Sequence, residues 1–369
     1  MIVPRGVELR LVELPLRTPF RTSFGEERVK RCILVRLETG DGEGWGECAA
    51  ADAPRYSEEF NEAAWLAIRD HLAPALLASS HLEPEEVARA IGGFRGHRMA
   101  KAALEMAALD ADLRAHGRSL ASRLGGVRDR VACGVSVGIP GSPEELLDQV
   151  DGYVRAGYRR VKLKIEPGWD VTPVTRVREA FPTTPLSVDA NAAYTLDAIQ
   201  VFEELDALEL MMVEQPLGHE DLMEHAELQR RITTPVCLDE SIRSAADARA
   251  SIALGSCGVV NVKAGRVGGL LEAVRVHDAC RERGVPVWCG GMLETGLGRA
   301  SNLALASLPG FTLPGDTSAS ERYFTEDLTE PFVLDPDGTM SVPDGPGLGV
   351  DPLPERLEAC TVRLERIRA

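Results

Sequence analysis

Five polar side chains close successive apolar runs of this sequence at nearly constant intervals: Lys164, Asp189, Glu214, Asp239 and Lys263, in steps of 25, 25, 25 and 24 residues. One polar residue at the end of an apolar run means little, because polar side chains commonly close strands. Five at a regular spacing carry chemical information. An interval of this size is about one strand-plus-helix unit of a parallel barrel, where the ends of consecutive strands stand side by side at one mouth. Three carboxylates converging there repel one another unless a cation or shared protons compensate. A divalent ion is the simplest compensation. An all-oxygen set with positions left open to water or substrate suits Mg2+ or Mn2+ rather than zinc.

The lysines flank the three acids on either side. In "RRVKLKIEPGWD" side chains alternate faces, so Lys162 and Lys164 share one face of a strand. The bland alternative, a solvated strand edge, is ordinary for lysine taken alone; the barrel instead turns that shared face inward. Lys162 and a nearby metal cation would then both disfavour the charged form of Lys164 and bring it toward the range of a base. Arg266, three residues past Lys263, would act on Lys263 in the same way, or else sits in a surface ion pair; spacing alone allows both. A metal-held carboxylate substrate between two amines describes abstraction of the proton α to that carboxylate, through an enolate. The amines then either exchange the proton between faces or assist departure of a β-hydroxyl.

The elements that must position these groups follow from the hydrophobic pattern. After about Val131 come eight short apolar runs, "VACGVSVG", "RVKLKI", "PLSVDAN", "LELMMVEQP", "PVCLDES", "GVVNVKAG", "PVWCGGM" and "FTLPGD", each of the first seven followed by an amphipathic helical segment. Ahead of them, "GVELRLVELPL", "KRCILVRLE" and "GEGWGECA" alternate as a small antiparallel sheet. "EEFNEAAWLAIRDHLAPALLA", "EPEEVARAIGGF" and "RMAKAALEMAALDADLRAHG" then take helical spacing, with Met99, Leu104 and Met106 as core. The expectation is an α/β chain, with an α+β domain over residues 1–125, a barrel over 126–324, and a return of about 325–369 to the first domain, ending in a short helix over "PERLEACTVRLERIRA".

Composition narrows the function. A net charge of −16 over 369 residues supplies no basic field for nucleic acid or an anionic membrane. The opening "MIVPRGVELRLVELPL" lacks the long apolar core of a signal peptide, and no later run approaches a membrane span. The eight cysteines are dispersed without a Cys-x-x-Cys pair, which favours reduced core thiols over bridges or a metal-thiolate site. A cytoplasmic homo-oligomer acting on a small carboxylate is expected.

"KLKIEPGWD", "VDAN", "VEQPL", "CLDES" and "NVKAGRVGG" resemble the muconate-lactonising subgroup of the enolase superfamily. "GVELR", "PFRTSFG", "GHRMAKAALEMA" and "WCGGMLETGLGRASNLALASLPGFTLPGDTSAS" are similar to its o-succinylbenzoate synthase and N-succinylamino acid (N-acylamino acid) racemase branch. The resemblance implies a capping α+β domain over a modified (β/α)7β TIM-type barrel. It also implies Mg2+ (or Mn2+, Co2+) on Asp189, Glu214 and Asp239, with Lys164 and Lys263 catalytic and Lys162, Asn191 and Arg266 accessory. Substrate contacts would come from capping-domain loops at Phe20, Phe24 and Tyr56 and from the barrel at Ser136, Gly291, Met292, Leu293 and Thr295. Racemisation of N-succinyl or other N-acyl amino acids and dehydration to o-succinylbenzoate in menaquinone biosynthesis remain as the two reactions; Arg266 favours the first. A noncatalytic scaffold is the alternative outside enzymes. A mandelate-racemase-like sugar-acid dehydratase is disfavoured, since no histidine closes the sixth or seventh strand and His277 lies in a helix.

Overall fold

A computed structural model of the chain, described over residues 1–368, holds a four-stranded antiparallel sheet and a curled seven-stranded parallel sheet. The antiparallel sheet is built from β1 (Pro4–Thr22), β2 (Gly25–Thr39) and β3 (Gly42–Cys48). On β2 the even-numbered residues Lys30, Cys32 and Leu34 are buried on the face that meets the barrel. The 18-residue helix Arg98–Ala115 lies on β3. Its approach is possible because β3 carries Gly44 and Gly46: a Cβ on Gly44 would collide with the backbone at Ala107 and Ala111, and one on Gly46 with the carbonyl of Ala103.

Beyond the cap, β4 (Arg130–Ala132) leads into the parallel strands β5 (Gly134–Val137), β6 (Arg160–Lys164), β7 (Leu186–Asp189), β8 (Val213–Glu214), β9 (Val236–Leu238), β10 (Val259–Val262) and β11 (Val287–Cys289), paired in sequence order. Every residue of these seven strands is buried, as strands covered on both faces require. Several of the intervening helices start on side-chain caps, among them Ser142, Asp221 and Ser244.

Two segments differ from the sequence expectation. "FTLPGD" does not form a ladder strand; it closes the ring through isolated bridges, Phe311 to Val287 on one side and Gly315 to Cys133 on the other. Pro314 has no N–H to donate to a ladder. Gly134 N donates to Gly315 O at 2.6 Å and Asp316 N to Cys289 O at 2.9 Å, so Asp316 is held at the mouth between the first and last strands. At the C-terminus only Pro354–Cys360 is helical; Thr361–Arg368 is a strand antiparallel to β1. "TVRLERIR" alternates with period two, and its exposure alternates with it. Labelled β13 after β12 (Thr339–Ser341), this strand is the edge of the capping sheet, whereas β12 pairs with β4. All eight cysteines are buried free thiols. Among the described residues no helix is long and apolar enough to cross a membrane.

Candidate active site

Parallel register delivers the spaced residues to one end of the barrel. Lys164 stands opposite Asp189, and Asp189 opposite Glu214. Asp239 and Lys263 each follow the last residue of their strands. All five are buried.

Hydrogen bonds join them into one network. Lys164 Nζ donates to Asp189 Oδ2 at 2.6 Å and to Asn191 Oδ1 at 2.7 Å. Lys162 Nζ lies 2.9 Å from Glu214 Oε2, 3.1 Å from Asp189 Oδ2 and 2.7 Å from Asp316 Oδ2. Lys263 Nζ donates to Asp239 Oδ2 at 2.8 Å and approaches the Tyr56 hydroxyl at 3.1 Å, while that hydroxyl donates to Asp239 Oδ1 at 3.0 Å. Asn191, at φ 44°, bridges the network outward by donating to Glu240 Oε1 at 3.1 Å. Beneath these groups, Asn261 Nδ2 donates to Glu214 Oε1 at 2.7 Å, and Gln215 Oε1 accepts from Asp239 N at 3.0 Å.

The two flanking lysines differ electrostatically. Burial, with Lys162 adding to it, takes Lys164 below the ordinary lysine value despite Asp189. Burial also works against the Lys263 ammonium, yet Tyr56, Glu214 and Glu240 hold it above that value. Arg266 is not the surface residue that one expectation allowed. Its guanidinium is buried, paired with Asp239, and donates to the carbonyls of Ile242 at 2.7 Å and Asn261 at 2.6 Å. Lys162 is likewise held above its ordinary value, because Asp316, Glu214 and Asp189 outweigh burial. Burial and Asp189 together push Glu214 upward, the mark of two acids in close company.

Above the network a cavity of about 700 Å³, counting its open mouth, lies between cap and barrel. Lys162, Lys164, Asn191 and Lys263 form its barrel wall. Phe20, Phe24 and Tyr56 come from the cap, and Ser136, Gly291, Met292 and Leu293 complete the barrel side. The capping loop is fastened in place: Ser23 Oγ donates to Ala190 O at 3.1 Å, and Arg21 pairs with Glu166 at 2.6 Å. Ser136 Oγ is buried without a partner and so remains available to a ligand. Asp189, Glu214, Asp239 and Arg266 lie behind this lining rather than in it.

Thr295 does not reach the cavity. It caps the helix Gly296–Ala306, accepting from Leu297 N, and donates to the buried Glu47 at 2.7 Å. A threonine directly before an apolar helical run carries the N-cap signal, so its structural role was open to sequence reading. Several contributors went unnoticed in the sequence. Lys30 and Tyr323 line the cavity, as does Asp316, which anchors Lys162 and Arg160. Gly290 matters by absence of a side chain: a Cβ there would stand 2.6 Å from Lys263 Cε and closer still to Asn261 Oδ1. Lys30 shares an inward face with Cys32 and Leu34, the same alternation that singled out Lys162 and Lys164.

The donor set fits a divalent cation in chemistry. Three hard-oxygen carboxylates end adjacent strands, and two further buried oxygens beside them, Glu240 Oε2 and Asn261 Oδ1, have no hydrogen-bond partner. Each carboxylate is turned toward a protein cation, and among the described residues no three His, Cys, Asp or Glu side chains gather about one point.

A polar cluster at the strand ends of a (β/α)7β barrel, roofed by an α+β cap, defines a class of enzyme. The chain matches the mandelate racemase / muconate lactonizing enzyme N-terminal domain over residues 5–125 and the enolase C-terminal domain-like family over 145–356, and it belongs to the enolase superfamily. It is 58% identical over 357 residues to the N-succinylamino acid racemase of an Amycolatopsis species, covering 96% of this chain and 97% of that one. To the o-succinylbenzoate synthase of Geobacillus stearothermophilus it is 49% identical over 346 residues, 94% of this chain and 92% of the other. The crystal structure of an enolase-superfamily member from Listeria innocua Clip11262 superposes with a TM-score of 0.95 at 40% identity, covering 100% of both chains.

Proposed function

We propose that this enzyme abstracts the proton α to a substrate carboxylate and racemises N-succinyl and other N-acyl amino acids, with Lys164 and Lys263 as the two proton carriers. The observation that carries the reading is their placement: two lysines line one cavity from β6 and β10, with the acids of β7, β8 and β9 between them. A racemase needs one amine and one ammonium on opposite faces of the α-carbon, and the pair exchanges states with the direction of reaction. Lys162 and Asn191 hold Lys164 and its acid neighbours in position; Arg266 and Tyr56 do the same for Asp239 and Lys263. Phe20, Phe24, Met292 and Leu293 exclude water from the apolar part of the substrate, and Ser136 Oγ offers it a hydrogen bond.

Asp189, Glu214 and Asp239 would hold Mg2+, or Mn2+ or Co2+ in its place. A bound divalent cation supplies positive charge against the charge that develops on the substrate carboxylate as its α-proton leaves. Dehydration to o-succinylbenzoate, the reaction of menaquinone biosynthesis, uses the same proton abstraction, and the identity to a synthase supports it as a second activity. The division into a cap of residues 1–125 with 325–369 and a barrel of 126–324, although β12 of the returning segment pairs with β4 of the barrel, and a cytoplasmic setting, belong to the same reading. So does assembly as a homo-oligomer, supported by Val362 and Leu364, exposed on the edge strand β13.

The test follows exchange of the α-proton of each enantiomer of N-succinylmethionine in deuterated water. Lys164→Ala should stop exchange from one enantiomer and retain some from the other; Lys263→Ala should show the opposite preference, and racemisation should be lost in both. Retention of the same enantiomer's exchange by both variants would reduce one lysine to an electrostatic neighbour.

A further inference from the structure

Four lysines line the cavity, and three of them, Lys162, Lys164 and Lys263, are each ion-paired to a carboxylate. Lys30 is not. It rises from β2 of the cap, its residue only 3% exposed. Its ammonium makes a single hydrogen bond, to the Ala49 carbonyl at 3.4 Å, and among the described residues no carboxylate oxygen lies within 4.0 Å of it. The nearest acids, Glu27, Glu47 and Glu294, influence it through space without contact. Burying an ammonium with two of its three donors unused is costly, and a chain retains such a group where something else satisfies it.

The surroundings indicate what that is. The catalytic end of the cavity already provides for one carboxylate of the substrate. Lys30 belongs to the capping-domain side of the cavity, whose lining also includes Glu27 and the apolar side chains of Phe20, Phe24, Met292 and Leu293. A ligand matching this lining carries an anionic head, an aliphatic part and a second anion.

We propose that Lys30 receives the second carboxylate of the substrate, the one at the far end of a succinyl arm, and so selects succinylated substrates over neutral acyl ones. This rests on the function proposed above and names the residue that reads the arm. A purely structural Lys30, balancing Glu27, Glu47 and Glu294, would matter equally to every substrate.

The experiment compares racemisation of N-succinylmethionine with that of N-butyrylmethionine, which keeps the aliphatic arm and lacks its carboxylate, in wild type, Lys30→Met and Lys30→Arg. A charge-assisted hydrogen bond in a desolvated site predicts that Lys30→Met loses roughly 10- to 100-fold more kcat/KM toward the succinyl substrate than toward the butyryl one, chiefly through KM. Lys30→Arg should restore most of the discrimination. Equal losses on both substrates, or none, overturn the proposal. So does a loss that instead follows the side-chain carboxylate of N-butyrylglutamate. Calorimetric binding of N-succinylmethionine and N-butyrylmethionine to the same three proteins gives the same ratio without turnover. A wild type that binds both and racemises neither therefore refutes the racemase reading while still deciding the role of Lys30. If Lys30→Met fails to fold, Lys30→Gln takes its place.

Discussion

Glu47 is where the cap meets the barrel through a buried acid, and replacing it with glutamine should change how stability depends on pH. The carboxylate accepts from Thr295 N at 3.2 Å, from Thr295 Oγ1 at 2.7 Å and from Gly298 N at 3.0 Å, at the start of the helix Gly296–Ala306. Those donors favour the ionised form, but burial outweighs them, and the carboxyl is raised from 4.5 to about 7. At about 1.4 kcal/mol per pH unit this displacement corresponds to about 3 kcal/mol. The sign follows from proton counting. Between pH 4.5 and about 7 the folded protein holds a proton here that the unfolded chain has released, so this group lowers stability as pH rises through that window. Glu105, which accepts from Leu271 N at 3.0 Å and is also raised to about 7, titrates in the same window, so the wild-type profile alone assigns nothing. The difference between wild type and Glu47→Gln isolates the one group. Glutamine should cost about 1 kcal/mol at every pH for an imperfect hydrogen bond. Superimposed on that, urea unfolding should show the variant gaining about 3 kcal/mol relative to wild type between pH 4.5 and about pH 8. A pH-independent difference, or a gain toward acid, would refute the reasoning.

Two further outcomes are expected. Gly290→Ala should reduce α-proton exchange by roughly 100-fold or more while costing about 1–3 kcal/mol in urea unfolding, because the added Cβ displaces Lys263 from within rather than opening the fold; unchanged exchange would show that Lys263 moves aside freely. Exhaustive chelation should abolish exchange and Mg2+ restore it, whereas Asp239→Asn should stay inactive at any added Mg2+ yet unfold cooperatively; full turnover after chelation would remove the cation from the mechanism.

Sequence periodicity carried a large share of the molecule. A spacing of one strand-helix unit placed Lys164, Asp189, Glu214, Asp239 and Lys263 at a common barrel mouth, because parallel register is repeated locally and each unit reports its own strand end. Alternation likewise revealed the inward face of Lys162 and Lys164, and it was equally visible in Lys30 and in "TVRLERIR", where β13 and not a helix completes the cap. Tertiary structure decided the partners. That Arg266 is paired with Asp239 and held by two carbonyls, that Asp316 anchors Lys162 and Arg160, and that Gly290 leaves room for Lys263 all depend on loops distant in sequence meeting at one end of a closed ring. Lys30 belongs with these in function though not in pattern. A buried face is a property of its own strand, but whether the charge on that face finds a carboxylate depends on how two separately built sheets dock, and local sequence holds no record of that distance.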